Sequence, residues 1–306
     1  MVGLTLFALL CIPWTGFASF IILYPSADTT LSENYPSNNF GGLRFVNAGT
    51  TQNRTMNRGL FQFGIAASLP AGSRIQAASL ILEVTHLPEA DYAFADFGLH
   101  RVLKPWGEGS GVTGASAPGA GVGRPAITNE ANWFDRFAFT TNSWATLVGA
   151  PTNDYMPETS SIQTIYGLGD SPYTFVSTAR MIADVQQWLD DPQTNFGWML
   201  KPEAEETPFT ARRFASREDP DFPPQLELYY VAPPRIDSAE RVGSQFKLYF
   251  SAEAGQGYAV EFASRLSATN TLWSTLTNIP PPATTTDLVI SDSGTGSNRF
   301  YRLRTQ

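Results

Sequence analysis

Apolar residues recur at every second position along much of the chain, which is the period of a β-strand with one face buried. In the segment RGLFQFGI, Phe61, Phe63 and Ile65 share one face, while Arg58 and Leu60 share the other. The runs AASLILEVTHL, DFGLHRVL, YTFVST, FGWML, ARRFAS and QLELYYV are further strand candidates, separated by turns rich in Gly, Pro and Asn. Many short strands of this kind predict an all-β fold, a jelly-roll β-sandwich.

A helical period occurs in one stretch. Met181, Val185 and Trp188 fall at i, i+4 and i+7, preceded by Ser177 or Thr178 as N-cap and followed by the sequence Asp-Asp-Pro. We therefore predict one short helix at about 178–189. Because Trp188 lies on the apolar stripe of this helix, we predict that it packs in the core and is not an exposed platform for a sugar ring.

The residues after this helix resemble a calcium loop only in part. Asp191, Gln193 and Asn195 are spaced two apart, but Gly197 comes one position late for an EF-hand, and no Glu closes the loop. The pattern instead predicts a turn that leads into the strand FGWML. The turn cluster Glu33–Gly42 could hold a structural calcium, although the sequence does not fix the ligands. No other cofactor is predicted.

Two prolines after the strand QLELYYV mark a domain boundary. Alternation starts again beyond them in QFKLYFS and YAVEF, and predicts a second, small β-sandwich of the immunoglobulin or fibronectin kind. The predicted organisation is a jelly-roll domain at 19–231, a linker at 232–234 and the small sandwich at 235–306.

The first 18 residues are apolar and end in Gly-Phe-Ala, which predicts a signal peptide and a secreted or cell-surface protein. The single cysteine, Cys11, lies in this leader, so the mature chain would have no thiol. The net charge is −8 and no Lys/Arg cluster occurs. We therefore expect no nucleic-acid partner and, after removal of the leader, no membrane insertion.

Several longer pieces resemble a known family in order and spacing. They are ADTTLSENYPSNNFGG, NRGLFQFGIAASLPAGSRIQAASLILEV, PWGEGSG, ANWFDRF, NSWATLVGAPTNDY, ARMIADVQQWLDDPQTNFGWMLK and RRFASREDPDFPPQLELYY. Together they span almost all of 27–231 and resemble the secreted bacterial DNRLRE domain, which is related to disaggregatase-type repeats and to an alginate-binding carbohydrate-binding module family. The string that names the family does not occur in this chain. The resemblance implies a jelly roll, an extracellular setting and contact with polysaccharide.

Catalytic motifs are sparse. His86 and His100 have no second metal ligand nearby in sequence, no G-x-S-x-G elbow occurs, and the 28 acids give no way to choose a catalytic pair. We therefore predict a non-catalytic carbohydrate-binding or surface-adhesion protein. The alternatives are a structural protein of the matrix or cell surface without a ligand, and a polysaccharide lyase or hydrolase.

A uronate-containing polysaccharide would need a local positive patch on this acidic protein. Arg58, Lys201 and Arg213 lie on or beside predicted strands, and arginine can pair bidentately with a carboxylate. We expect these three cations to converge on one sheet face, with Trp106 or the Gly-rich loop Gly107–Glu130 at the rim. We expect this loop to be mobile.

Only one of two adjacent arginines can belong to this patch. Arg212 and Arg213 point to opposite faces of their strand, and Phe214 shares a face with Arg212. If Phe214 belongs to the core, Arg213 is the outward one. The tryptophans Trp133 and Trp144 are further platform candidates, and a core role fits them equally well.

Overall fold

The computed structural model describes residues 19–88, 92–112, 121–145, 151–267, 270–294 and 298–306. These residues form two compact units, Phe20–Tyr230 and Val231–Gln306. The predicted leader at 1–18, with its Cys11, lies outside the described residues.

In the larger unit, the alternating segments form strands and the one helical stretch forms a helix. The strands are β1 (Ser19–Leu23), β2 (Pro25–Ser32), β3 (Asn38–Asn39), β4 (Phe45–Thr50), β5 (Met56–Phe63), β6 (Arg74–Leu82), β7 (Val84–His86), β8 (Ala95–Val102), β9 (Arg124–Pro125), β10 (Tyr155–Ile165), β11 (Tyr173–Phe175), β12 (Trp198–Pro202), β13 (Arg212–Ala215) and β14 (Gln225–Val231). The helices are α1 (Ile65–Ser68), α2 (Pro151–Asp154) and α3 (Ala179–Asp190).

The strands of the larger unit form two main sheets. The smaller sheet has the strand order β1-β14-β6-β11. The larger sheet follows the path β10-β8-β12-β5-β4-β13-β7, and β2 pairs with β5 beside it. All of the neighbouring pairs whose register is defined are antiparallel, and the short strands β3 and β9 form a separate ribbon.

The two main sheets enclose one hydrophobic core. Phe61 and Phe63 of β5 face it from the larger sheet, and Leu80 and Leu82 of β6 face it from the smaller sheet, all fully buried. The predicted all-β sandwich is therefore confirmed. Phe214 of β13 is also part of this core, which places Arg213 on the opposite face of its strand, as predicted.

Helix α3 packs its apolar face, with Met181, Val185 and Trp188, into this core. The hydroxyl oxygen of Thr178 caps it by accepting a hydrogen bond from the Met181 N–H at 3.1 Å. Trp188 is fully buried. The predicted position of this helix and the core role of Trp188 are confirmed. The single-turn helices α1 and α2 were not predicted, because four residues are too few to show a helical period.

A second apolar layer covers the outer face of the larger sheet. Leu60 of β5 and Met199 of β12 point away from the main core, and both are buried beneath Trp106, Trp133 and Trp144. These tryptophans come from the irregular chain between β8 and β10. The central strands are therefore buried on both faces, which is why β5 carries a leucine between its two polar positions.

The smaller unit is a sandwich of two three-stranded antiparallel sheets. One sheet has the order β15-β16-β19 and the other the order β18-β17-β20. Leu248, Phe250, Tyr258 and Val260 form the centre of its core. The strands are β15 (Ser238–Val242), β16 (Gln245–Ala252), β17 (Tyr258–Ala263), β18 (Ser274–Ile279), β19 (Thr286–Asp292) and β20 (Phe300–Thr305).

Candidate functional site

Arg58 and Lys201 converge, as predicted, but on a carboxylate and not on an open surface. The Arg58 guanidinium donates from Nε to Oε1 of Glu205 at 2.7 Å and from Nη2 to Oε2 at 2.9 Å. The Nζ atom of Lys201 lies 3.5 Å from the same Oε2. Arg58 is 6% exposed and Lys201 is 7% exposed. The expectation that these two cations form part of an exposed positive patch is therefore wrong, because a chain segment 147 positions from Arg58 supplies a counter-ion and shields them.

Trp106 is also part of the buried layer. Its Nε1 donates a hydrogen bond to the carbonyl oxygen of Phe196 at 2.9 Å, and its side chain packs against Leu60 and Met199. The Nε1 of Trp144 donates to the carbonyl oxygen of Asn132 in the same way at 3.0 Å. Buried rings whose N–H groups are satisfied by the backbone stabilise the layer and do not offer a face to a sugar.

His100 lies in the same outer-face region and is almost fully buried. Its Nδ1 is 2.9 Å from the carbonyl oxygen of Met156, and its Nε2 is 2.9 Å from Oε1 of Glu203. The ring also packs edge to face against Tyr155, with 5.4 Å between centroids. Because protein atoms occupy both ring nitrogens, this histidine holds the sheet face together and has no nitrogen left for a metal or a substrate.

The turn cluster Glu33–Gly42, considered above for a structural calcium, anchors a distant part of the chain. Asn39 is fully buried, and its amide nitrogen donates to the carbonyl oxygens of Glu108 and Ala131 at 2.7 and 2.9 Å. Its amide oxygen accepts from the N–H groups of Gly41 and Gly111 at 3.1 and 2.8 Å. Among the residues that the structure describes, no group of three His, Cys, Asp or Glu side chains is placed to hold a metal ion.

The same contacts bear on the loop Gly107–Glu130, which we expected to be mobile. Its first part is held by Asn39, and its last part by the ion pair between Arg124 and Glu130, with 2.6 Å between Nη2 and Oε1. Residues 113–120 of this loop lie outside the described residues. The two ends of the loop are thus fixed parts of the fold. The Gly-rich pattern alone did not show this, because it does not reveal the distant amide that anchors the loop.

A carboxylate cluster joins three distant parts of the chain and was not predicted. The Arg217 backbone N–H donates to Oδ2 of Asp28 at 2.7 Å, and the Arg217 side chain contacts both Glu108 and Glu218, at 2.6 and 2.9 Å. Burial raises the pKa of Asp28 well above its ordinary value, and burial also raises the pKa of Glu108. The cluster connects β2 with the segments that precede β9 and follow β13.

Arg213 lies apart from Arg58 and Lys201, in a cleft beside strands β4, β13 and β7. The register places Arg213 directly opposite Asn47 on β4 and His86 on β7. Directly opposed residues on antiparallel strands point to the same side of the sheet, about 5 Å apart. The three side chains therefore form one polar row, with Arg213 half-buried and His86 exposed.

The cleft around this row has a volume of about 410 Å³. The Arg213 guanidinium carbon lies 4.3 Å from the centre of the Phe45 ring, and burial lowers the pKa of this arginine. The lining is completed by amide, hydroxyl and apolar groups, and none of the described lining residues is Asp or Glu. These lining residues are Asn47, Thr51, Gln52, His86, Leu87, Pro88, Ala211, Arg212 and Arg213.

The polar row has the donor set that an anionic, hydroxylated ligand needs. A guanidinium pairs with a carboxylate in a fixed two-donor geometry, and amide side chains both donate to and accept from hydroxyl groups. A concave site of a few hundred Å³ is the usual size for a small ligand. Of the four residues predicted to bind ligand, Arg213 lies in such a cleft, whereas Arg58, Lys201 and Trp106 are buried.

Within the described ranges, no helix is both long enough and apolar enough to cross a lipid bilayer.

A comparison with models of known protein families gives no match, and none of the curated proteins is significantly similar to this chain. The resemblance to the DNRLRE domain thus stays a prediction.

Proposed function

We propose that this protein is a non-catalytic carbohydrate-binding or surface-adhesion protein that takes an acidic saccharide in the cleft of Arg213. The observation that carries the proposal is the row Asn47, Arg213 and His86 in a cleft of about 410 Å³, on a chain whose net charge is −8. An acidic protein repels an anionic polymer at long range, so binding must come from a local arrangement of this kind.

The chemistry of the cleft suits a uronate residue. Arg213 would pair with the carboxylate, and Asn47 and Gln52 would hydrogen-bond to ring hydroxyl groups. Leu87 and Pro88 supply the apolar surface against which the carbon face of a sugar ring can pack. A neutral sugar would lose the charge-assisted hydrogen bond, so the proposal implies a preference for uronate-containing polymers.

Binding without cleavage is the form of the proposal that the described residues support best. His100, the more buried of the two histidines, has both ring nitrogens occupied by Met156 and Glu203. His86 stands beside an arginine and an asparagine, with no carboxylate among the lining residues described to act with it as an acid–base pair. We also propose that the protein acts outside the cell, a proposal that rests on the apolar leader at 1–18.

The test is affinity electrophoresis of the mature protein on a panel of neutral and uronate-containing polysaccharides, followed by titration with the corresponding oligosaccharides. We expect retardation by one or more acidic polymers, and Arg213→Gln should weaken binding about tenfold, the usual cost of a lost charge-assisted hydrogen bond. Arg74→Gln, at an exposed position on β6 outside the cleft, is the matched control and should bind like the wild type.

A second assay on the same panel measures new reducing ends and unsaturated uronates. Cleavage would contradict the proposal in favour of a lyase or hydrolase, and no retardation by any polymer would favour a structural protein without a ligand. If Arg74→Gln weakened binding as much as Arg213→Gln, the attraction would be a general charge effect and the cleft would not be the site.

A further inference from the structure

The smaller unit contains a second cleft, with a volume of about 570 Å³. It lies where the turn between β15 and β16 meets the described part of the connection between β19 and β20. The register places Phe246, at the start of β16, opposite Asp292, at the end of β19, and so brings these two connections to the same end of one sheet. The first residues of β20, Phe300 and Tyr301, line the cleft as well.

A buried carboxylate fixes the wall of this cleft. Asp292 is 5% exposed and accepts hydrogen bonds from the Gly294 N–H at 2.8 Å, from the Tyr301 hydroxyl at 2.8 Å and from the Arg299 guanidinium. Although burial alone would raise the pKa of Asp292, these hydrogen bonds lower it, so the carboxylate stays ionised. Burial and the bond to Asp292 raise the pKa of Tyr301 to about 12, so its hydroxyl stays a donor.

Arg299 is held on two sides. Its guanidinium carbon lies 4.3 Å from the centre of the Phe262 ring, and a side chain at Gly294 would collide with the guanidinium. The wall is therefore formed by a satisfied ion pair and a glycine that leaves room for it. This wall is part of the fold and holds the lining residues in place.

The lining combines an aromatic pair with polar groups. The rings of Phe246 and Tyr301 stack with 5.3 Å between centroids and 11° between planes, and Phe300 beside them is 40% exposed. Gln245 and Asn298 are exposed and supply amide groups, and Arg241 is an exposed cation. As in the cleft of Arg213, none of the described lining residues is acidic.

The charge of the smaller unit is also unlike that of the whole chain. Residues 231–306 contain seven of the 20 Lys and Arg residues but only six of the 28 Asp and Glu residues. The excess of negative charge therefore lies in the rest of the sequence. An anionic ligand meets no net repulsion from the unit that carries this cleft.

We propose that this cleft is a second binding site for an acidic saccharide. The aromatic residues would contact the carbon face of the sugar, Gln245 and Asn298 would bind its hydroxyl groups, and Arg241 would pair with its carboxylate. The choice of ligand rests on the proposed function of the larger unit, whereas the cleft itself rests on its own residues. The protein would then bind two segments of a polymer.

The experiment is a calorimetric titration of the mature two-unit protein with a defined oligouronate, such as a tetramer of galacturonate, on four forms. These are the wild type, Arg213→Gln, the pair Arg241→Gln with Asn298→Ala, and the combination of all three substitutions. Arg241 and Asn298 are exposed, so the fold should persist. Arg265→Gln, an exposed arginine of the same unit outside the cleft, is the matched control.

We expect two sites in the wild type and one in each cleft variant, with at least a tenfold loss of affinity at the altered site. Loss of all binding in Arg213→Gln would overturn the second site and leave the proposed function standing. Binding that survives in Arg213→Gln unchanged but disappears in the Arg241 and Asn298 variant would support the second site and overturn the first. No binding by the wild type, or an equal loss in Arg265→Gln, would overturn the second site.

Discussion

Trp188 of α3 and Trp198 of β12 pack edge to face, with 4.5 Å between ring centroids. Both rings are fully buried, but their N–H groups differ. Trp198 donates to Oδ2 of Asp184 at 2.9 Å and also lies 3.1 Å from the Ser160 hydroxyl oxygen, whereas the Nε1 of Trp188 has no partner among the described residues. One contact thus joins a satisfied indole to an unsatisfied one.

We predict that Trp198→Phe destabilises the protein more than Trp188→Phe. Each substitution leaves a similar cavity, but only Trp198→Phe deprives the buried Asp184 carboxylate of a donor, which costs about 1–3 kcal/mol more. Urea unfolding of both variants measures the difference. Equal losses in free energy of unfolding would show that the hydrogen bond to Asp184 contributes nothing.

A second prediction concerns the amide of Asn39. Asn39→Ala leaves two carbonyl and two N–H groups without their partner, so we expect a loss of about 3 kcal/mol or more in the free energy of unfolding. Asn39→Asp should also destabilise, because a carboxylate cannot donate to the two carbonyl oxygens.

The neighbouring Asn38 is the matched control for this prediction. It is less buried, and among the described residues its side chain makes one hydrogen bond, to the carbonyl oxygen of Val122 at 2.7 Å. Asn38→Ala should cost about 1 kcal/mol or less. If the two alanine variants unfold at the same urea concentration, Asn39 does not anchor the loop as described.

The ion pair of Arg58 gives a third prediction. Arg58→Ala should lower the free energy of unfolding by about 3 kcal/mol, because it leaves the Glu205 carboxylate poorly compensated in a shielded site. Removing both partners should cost less than the sum of the single losses, with a coupling of about 1 kcal/mol or more. A double-mutant cycle in urea measures this coupling, and additive losses would contradict it.

The pH dependence of stability gives a fourth prediction. Burial raises the pKa of Asp28 in the folded state above the value of about 3.9 that it has in an unfolded chain. Between these two values the folded state binds more protons than the unfolded state, so this group stabilises fully below about pH 3.9 and loses that contribution as the pH rises through the folded pKa. Asp28→Asn removes this loss while its amide oxygen can still accept from the Arg217 N–H.

We therefore expect Asp28→Asn to be at least as stable as the wild type at neutral pH and to gain relative to it as the pH rises from 4 to 7. Thermal unfolding across this range checks the sign. Asp221→Asn, at an exposed acid, should follow the wild type at every pH. A variant that loses stability relative to the wild type on going to neutral pH would show that the Asp28 carboxylate is stabilising when ionised.

Local pattern was enough to predict helix α3 and many of the longer strands, because each of these elements depends on residues close in sequence. The period of 3.6 residues and a Thr N-cap placed α3, and the period of two residues put Phe61 and Phe63 on one strand face, which is the face that lies in the core. The orientation of Arg213 followed from Phe214 in the same way. Each of these predictions concerns which side of one element faces inward.

The candidate site was harder to predict, because it depends on what covers the other side. Arg58 lies on a polar strand face that reads as solvent-exposed, yet Glu205 and the tryptophan layer shield it. Leu60 and Met199 on that same face were the available signal, since apolar residues on an outward face indicate a second covering layer. To predict the cleft of Arg213, one must know how β4, β13 and β7 pair with one another. The alternation of apolar and polar residues along each strand does not give this register.

The strand order of the larger unit also determines when this unit can fold during synthesis. Strand β1 pairs in one sheet with β14, which the ribosome adds some 200 residues later. Asp28 on β2 likewise needs the N–H of Arg217, which comes 189 positions after Asp28. The apolar faces of the first strands therefore stay exposed to solvent until nearly the whole unit has been synthesised. A nascent chain that stops before β14 has no complete core, so we expect folding to be late and strongly dependent on chaperones.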